Sequence, residues 1–145
     1  VPIVGRWIDC RDDNWLIVDG AFGRGTHRLI SRLHLHPDVR VTRVSEVSIC
    51  LERAGVVRWL SLIGQSELAV SQGWYCPRFG ERIATSVIEA RLDAGLPAAI
   101  GWQITAERPA DASRLSISGT TVIVTVDGDQ GPCDLQISFQ PVVAR

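Results

Sequence analysis

The stretch NWLIVDGAFGRGTHRLISRLHLHP, residues 14–37, is the one around which the rest of the chain is organised. It opens with the apolar run WLIV, breaks at Asp19-Gly20, and passes through Gly23 and Gly25 into a segment in which alternate residues change character. Alternation with period two is typical of a strand with one buried face. Two runs about a glycine-rich turn predict a β-hairpin with a long loop, and Pro37 ends its second strand because it lacks an N–H. One face carries His27, Leu29, Ser31, Leu33 and Leu35, and the other carries Arg28, Ile30, Arg32, His34 and His36.

The rest of the chain repeats short apolar runs separated by turn residues. Strands are predicted at residues 3–11, within 39–51, at 57–63, in a short run at 68–70, at 87–92, at 98–106, and in a C-terminal meander built on LSIS, TTVIVTV and LQISF. No segment has a helical stripe of three turns. About ten or eleven strands with turns every 8 to 12 residues predict an all-β fold, an antiparallel β-sandwich that forms a single domain over residues 1–145.

The alternation also predicts which side chains are buried. Leu60 and Leu62 have the opposite parity to Trp59 and Ile63, so we expect this strand to be covered on both faces. Residues 73–82, GWYCPRFGER, are the most irregular part and read as a loop. Ile3 and Cys10 are expected to turn inward with Trp7. The predicted core is Trp7, Leu29, Leu33, Leu35, Val47, Ile49, Trp59 and Ile63.

The composition and charge of the chain limit the classes of partner that it can bind. The chain has 145 residues, 46% of them hydrophobic, and no apolar run approaches the roughly 20 residues that cross a bilayer, so we expect a soluble globular domain that makes no membrane contact. With a net charge of −1, the protein has no overall positive electrostatic field that would attract nucleic acid, so we expect no nucleic-acid partner. All fifteen basic residues are arginine, whose planar fork suits carboxylate and sulfate.

The chain has no methionine and begins at Val1 inside a predicted strand. We therefore expect it to be a fragment of a longer protein. Its cysteines, Cys10, Cys50, Cys76 and Cys133, form no C-x-x-C pair, which argues against a zinc ribbon. One disulfide would be compatible with an oxidising compartment, but buried free thiols are the favoured interpretation.

The histidines are the first candidates for chemistry. His34 and His36 lie two apart on one strand face, a spacing that can ligate one metal, with Asp19 or Asp38 as the nearest candidates for a third ligand. Two ligands alone do not make a site, so we predict no bound metal and no cofactor, and a small metal-dependent enzyme is the weakest hypothesis.

Arg28, Arg32, His34 and His36 form the candidate substrate-binding set, because a face of this kind could bind an anionic sugar through charge-assisted hydrogen bonds. An ordinary solvated face is the alternative. Tyr75 could act as a general acid or base. A packing role in its turn is the favoured interpretation, and no residue of the chain is assigned a catalytic role.

Residues 15–39, WLIVDGAFGRGTHRLISRLHLHPDV, resemble the C-terminal region of heparinase II/III-like proteins. The matching features are a strand ending in Asp19, a turn with Gly23 and Gly25, then His27 and an alternating strand that ends near Pro37. Further on, Trp74, Phe79-Gly80 and Leu96-Pro97 resemble the Trp-containing turn, the aromatic-Gly pair and the Leu-Pro step of that family. The resemblance covers residues 5–105.

The resemblance implies the antiparallel sandwich that follows an α/α toroid in these polysaccharide lyases. It implies a parent activity, β-elimination on uronic-acid-containing polysaccharide, in a bacterial periplasmic or secreted enzyme. The family's catalytic residues match none of the positions here, so they are expected upstream of Val1. The leading hypothesis is therefore a C-terminal sandwich with a structural and cleft-wall role, whose partners are the upstream toroid and an anionic polysaccharide. A stand-alone carbohydrate-binding or interaction sandwich without catalysis is the alternative.

Overall fold

A computed structural model describes residues 2–109, 113–128 and 131–139 of the chain. Within them lie twelve strands: β1 (Ile3–Arg11), β2 (Asn14–Phe22), β3 (Thr26–His34), β4 (Arg40–Arg43), β5 (Ser48–Arg53), β6 (Val56–Ile63), β7 (Glu67–Arg78), β8 (Glu81–Gly95), β9 (Ala98–Thr105), β10 (Arg114–Ser118), β11 (Thr121–Gly128) and β12 (Gly131–Ser138). Every pairing between them is antiparallel. The all-β sandwich is confirmed, with slightly more strands than predicted. The described part contains no helix that could span a membrane.

The strands form three sheets. The central sheet has the order β1-β2-β9-β6-β5-β4, the front sheet has the order β3-β8-β7, and the C-terminal sheet is the meander β10-β11-β12. One core lies between the central and front sheets, around Trp102, Ile49 and Ile88. A second core joins the central sheet to the C-terminal sheet, around Val18, Ile63 and Val124. The central sheet is thus buried on both faces, as Leu60 and Ile63 show by lying in different cores.

The predicted hairpin of residues 14–37 is wrong in its connection. Both runs are strands, but β2 lies in the central sheet and β3 in the front sheet. The reason is that β2 already has a partner on each edge: β1, through a tight turn with positive φ at Asp12 and Asp13, and β9. The chain therefore crosses between the sheets through Gly23 and Gly25, whose φ angles of 147° and 87° favour glycine. The alternation in β3 is confirmed, with Ser31 buried and Arg32 exposed.

The second correction concerns the predicted loop at 73–82. It belongs to a long hairpin, in which β7 pairs with β8 around Phe79-Gly80, with one register shift between Tyr75 and Arg78. Gly80 takes the positive φ of the turn, 78°. The β8 strand therefore extends well beyond the predicted 87–92. Local turn residues such as Pro77 misled the prediction, because an edge strand tolerates proline.

The predicted core is confirmed for Ile49 and Ile63, each fully buried. Leu29, Leu33, Leu35 and Trp7 are partly buried and pack against the two cores. Trp59 is only half-buried, beneath the guanidinium of Arg108. The predictions for three other residues are wrong, since Val47, Ile3 and Cys10 are exposed.

The thiols also differ from expectation. All four cysteines are free, and Cys10, Cys76 and Cys133 are exposed, whereas Cys50 is half-buried. The prediction of buried thiols is therefore wrong. Cys10 and Cys76 lie on edge strands, β1 and β7, where no second layer covers them.

Candidate functional site

The candidate substrate-binding residues lie together on the outer face of the front sheet. Arg28, Arg32 and His34 have the parity opposite to the core-facing leucines of β3, and His36 follows two residues later. From residue 28 to residue 36 an extended chain spans about 26 Å. The structure thus places all four in one row along the outside of the sandwich.

Both arginines of this row are engaged by carboxylates of β8. Arg28 donates through Nε and Nη2 to Asp93, at 2.9 and 3.3 Å, and this hydrogen bonding raises the pKa of Arg28. Arg32 donates through Nε to Glu89 at 2.7 Å, and Arg91 donates to the other oxygen of Glu89 at 3.1 and 2.5 Å. The side chains therefore sit in fixed positions rather than moving freely in solvent.

Glu89 is the organising group of this row. It is only 7% exposed although it faces outward, because Arg32 and Arg91 lie across its carboxylate. The hydrogen bond from Arg32, which has the larger effect, and those from Arg91 lower the pKa of Glu89. Two guanidinium groups share one carboxylate, so this cluster carries one net positive charge. Among the described residues, Arg32 donates only through Nε, which leaves its terminal nitrogens toward solvent.

At the other end of the row, His36 contacts Tyr75. Their ring centroids are 5.1 Å apart at an interplanar angle of 54°. Sequence reasoning placed Tyr75 in a turn remote from the histidines, and this is wrong, since Tyr75 lies on β7. Gly73 lies beside His34, since a Cβ built there would stand 3.9 Å from His34 Cδ2, and it would also collide with Val87 Cγ2, whose side chain occupies the space that a larger residue would need. His34, His36 and Tyr75 thus surround one spot on the front sheet.

In the described part of the chain, no third ligand joins His34 and His36 to form a metal site. His36 Nδ1 accepts the backbone N–H of Asp38 at 3.3 Å, and Asp19 is held by other groups on the opposite side of the sheet. His27 lies apart from the other two histidines, with Nε2 3.1 Å from the carbonyl oxygen of Arg24. No cluster of three His, Cys, Asp or Glu side chains occurs within residues 2–109, 113–128 and 131–139.

Sequence reasoning missed a polar network between the sheets. Arg6 donates to both oxygens of Asp19 at 2.6 and 2.7 Å, and this contact raises the pKa of Arg6. Ser31 donates its hydroxyl to Asp19 and accepts the indole N–H of Trp102 at 2.7 Å. One signal was present in the sequence: Ser31 is the small polar residue within the leucine face of β3, which indicates a partner inside.

This network forms one wall of a cleft of about 490 Å³ between the central sheet and β3. Its other walls are mostly apolar and include Ala21, Leu29 and Ile100. His27 and Arg28 also line the cleft. The side chains of Arg6, Asp19 and Ser31 are already paired with one another, so the network fastens β3 to the central sheet rather than presenting open hydrogen-bonding sites.

The fold resembles that of solved heparinases. The chain superposes on heparinase III, the BT4657 gene product, and on the same protein with methylated lysines, each with a TM-score of 0.73 at 12% sequence identity. The superpositions cover 95% and 94% of this chain, respectively, but 24% and 23% of those chains, so this chain spans about a quarter of their length. No curated protein matches the chain in sequence.

The sequence itself matches a protein-family model. The family is described as heparinase II/III-like, C-terminal, and the match spans residues 6–136. It therefore includes the β2–β3 crossover, the front sheet and most of the C-terminal meander. The resemblance found in residues 5–105 is confirmed and extends further along the chain. The chain belongs to the heparinase II/III-like C-terminal family.

Proposed function

We propose that this chain is the C-terminal sandwich of a polysaccharide lyase that cleaves uronic-acid-containing polysaccharide by β-elimination. The observation that carries the proposal is the family match over residues 6–136 together with the superposition on heparinase III. The heparinase III chains are about four times longer, which leaves room for a further domain. The chain's role in this proposal is structural, as one wall of the substrate cleft beside an upstream α/α toroid. We place the enzyme in the bacterial periplasm or outside the cell.

The arrangement of side chains supports a non-catalytic role. Elimination requires a base at the sugar C5 proton, a proton donor for the leaving oxygen and a group that neutralises the carboxylate, all within reach of one sugar. His36 and Tyr75 are in contact, but the paired arginines Arg28 and Arg32 lie farther along β3. This face is also open to water, which weakens electrostatic stabilisation of a transition state.

The same side chains suit a cleft wall. Arg28, Arg32, His34 and His36 form a row long enough for several sugar rings. Arg32 is oriented by Glu89 and keeps its terminal nitrogens for a ligand. An arginine fixed in this way loses less conformational entropy when it binds a carboxylate or sulfate. We therefore propose the outer face of the front sheet as the surface that faces polysaccharide.

The first test compares the 145-residue chain with the longer protein that contains it. Each is incubated with uronic-acid polysaccharides, and the ultraviolet absorbance of the unsaturated uronate product is followed. We expect turnover from the longer protein and none from the 145-residue chain. Turnover by the chain that disappears in Tyr75→Phe would contradict the proposal, because the active site would then lie on the front sheet.

The second test concerns the cleft wall. Arg32→Ala in the longer protein should raise KM several-fold with little change in kcat, because a contact made equally in ground and transition states affects binding alone. Arg40→Ala is the matched control, since Arg40 is an arginine of the central sheet that faces Glu52 at 3.7 Å. Equal kinetic parameters for Arg32→Ala and Arg40→Ala would favour the alternative, an interaction sandwich that does not touch the substrate.

A further inference from the structure

The hairpin of β7 and β8 ends in an exposed arm. Residues 74–84, which we call the arm, form an unbroken run of exposed residues on both sides of the Phe79-Gly80 turn. The arm carries large apolar side chains that stay exposed in the described part of the chain: Trp74 at 50% exposure, Tyr75 at 37%, Phe79 at 108% and Ile83 at 41%. Single exposed apolar residues scattered over a surface are normal, but several on one short hairpin mark a candidate binding element.

One face of the arm combines an aromatic ring with a charge. Trp74 lies opposite Ala84 in the register, so no large cross-strand neighbour covers its indole. The guanidinium of Arg82 lies over the indole, 4.4 Å from the ring centroid. Gln72, two residues before Trp74 and therefore on the same side of β7, is also exposed. A ring, a cation and an amide thus face solvent together.

Arg82 differs from the other arginines of the front sheet. Arg28, Arg32, Arg78 and Arg91 each pair with a carboxylate. Arg82 has no carboxylate within ion-pair distance in the described part of the chain, and it contacts the Trp74 ring instead. An exposed cation–π contact is weak, so a ligand carboxylate could readily recruit this guanidinium.

We propose that Trp74 and Arg82 form a binding subsite for an acidic sugar, a uronate unit of a polysaccharide chain. The sugar ring stacks on the indole, Arg82 donates two hydrogen bonds to the uronate carboxylate, and Gln72 bonds to a hydroxyl. The subsite is separate from the row of Arg28, Arg32, His34 and His36, because Trp74 has the opposite parity to Tyr75 on β7. The inference deepens the proposed function and rests on it for the class of ligand.

A saccharide fits these features better than a protein surface does. The charge complementarity is local, with one unpaired guanidinium at one ring, and both lie on an arm that a long flexible chain can reach from several directions. The pairing of β7 with β8 holds the ring and the cation close together, with the Arg82 guanidinium 4.4 Å from the centroid of the Trp74 ring. Binding of a polymer far from the reacting sugar would help to retain substrate without any catalytic contact.

The experiment measures binding of defined oligosaccharides to the 145-residue chain by calorimetry. The probes are a hyaluronan octasaccharide, which carries carboxylates only, a sulfated uronate–glucosamine octasaccharide, and neutral cellohexaose. We expect both acidic probes to bind, with an affinity that falls as salt rises, and cellohexaose to bind at least tenfold more weakly. Binding of the sulfated probe alone would contradict the assignment of a carboxylate site.

Variants then locate the site. Arg82→Gln and Trp74→Ala should each weaken the hyaluronan octasaccharide at least tenfold, and Trp74→Phe should retain part of the affinity. Arg108→Gln is the matched control, because Arg108 lies over Trp59 in the same kind of contact, with 5.6 Å to the centroid, in another part of the fold. Thermal unfolding should be unchanged in the arm variants, since both side chains are exposed.

The outcomes are distinct. An unchanged affinity in both arm variants would overturn the inference, as would an equal loss in Arg108→Gln. If the arm binds the octasaccharide but the longer protein eliminates no polysaccharide, the subsite stands and the proposed lyase function fails. If elimination occurs and the arm variants bind normally, the lyase function stands and the subsite fails.

Discussion

Replacing Ser31 with alanine should destabilise the protein far more than the loss of one surface hydroxyl would. Ser31 is 3% exposed and accepts the N–H of Trp102, which is fully buried. Without the hydroxyl, the buried indole N–H loses its hydrogen-bond partner, and an unsatisfied buried donor costs about 1–3 kcal/mol. Asp19 loses one donor but keeps both hydrogen bonds from Arg6. We therefore expect the free energy of unfolding to fall by about 2–3 kcal/mol.

A double-mutant cycle isolates this contact. Trp102→Phe removes the indole N–H and leaves a small cavity. Adding Ser31→Ala to the Trp102→Phe protein therefore leaves no buried donor without a partner. The two losses should then be non-additive, with a coupling of about 1–2 kcal/mol. Urea unfolding with constant m-values supplies the four free energies. Ser71→Ala is the control, because that hydroxyl is half-buried and makes a long 3.4 Å bond to a backbone carbonyl; it should cost less than about 0.5 kcal/mol.

A coupling below about 0.3 kcal/mol would refute the reasoning. It would mean that the indole N–H finds another partner, or that the serine hydroxyl is satisfied through Asp19 alone. An equally large loss in Ser71→Ala would show that the hydroxyl-to-methyl change, rather than the buried network, sets the cost.

Three further predictions concern stability and composition. Ile49→Ala should lower the free energy of unfolding, measured in urea, by about 2–5 kcal/mol because Ile49 is fully buried. Leu33→Ala should lower it by about half as much because Leu33 is half-buried. Equal losses would mean that Leu33 is as well shielded from water as Ile49. Because the pKa of Glu89 is lowered in the folded protein, this carboxylate contributes stability at pH values above its unfolded pKa of 4.5, and the contribution is lost as the pH falls through the folded pKa. In Glu89→Gln, the melting temperature should therefore depend less on pH in the acid range. An unchanged dependence on acid pH would contradict this. Elemental analysis should find no stoichiometric metal, and zinc lost on His34→Ala would overturn that expectation.

Much of the fold follows from local pattern. Alternation in β3 indicated which side chains face the core, and opposite parities at Leu60 and Ile63 indicated a strand covered twice. Asp12-Asp13 and Ala54-Gly55 marked tight turns that the structure places at positive φ. These features depend on a few neighbouring residues, because side-chain parity and turn conformation are properties of short segments. The resemblance then added the heparinase II/III-like C-terminal family, which no local pattern contains.

The site depended on tertiary structure. Sequence periodicity cannot say which edge of β2 is free, so it read a hairpin where β1 and β9 already occupy both edges and β3 must cross to another sheet. That crossing carries Ser31 to Trp102, 71 positions away in the chain, and sets Arg32 beside Glu89. The pairing of β7 with β8 likewise brings Tyr75 to His36 and Arg82 to Trp74. By itself the sequence determined strand faces, turns and family; strand pairing decided which polar groups meet, because those contacts join residues that no local pattern links.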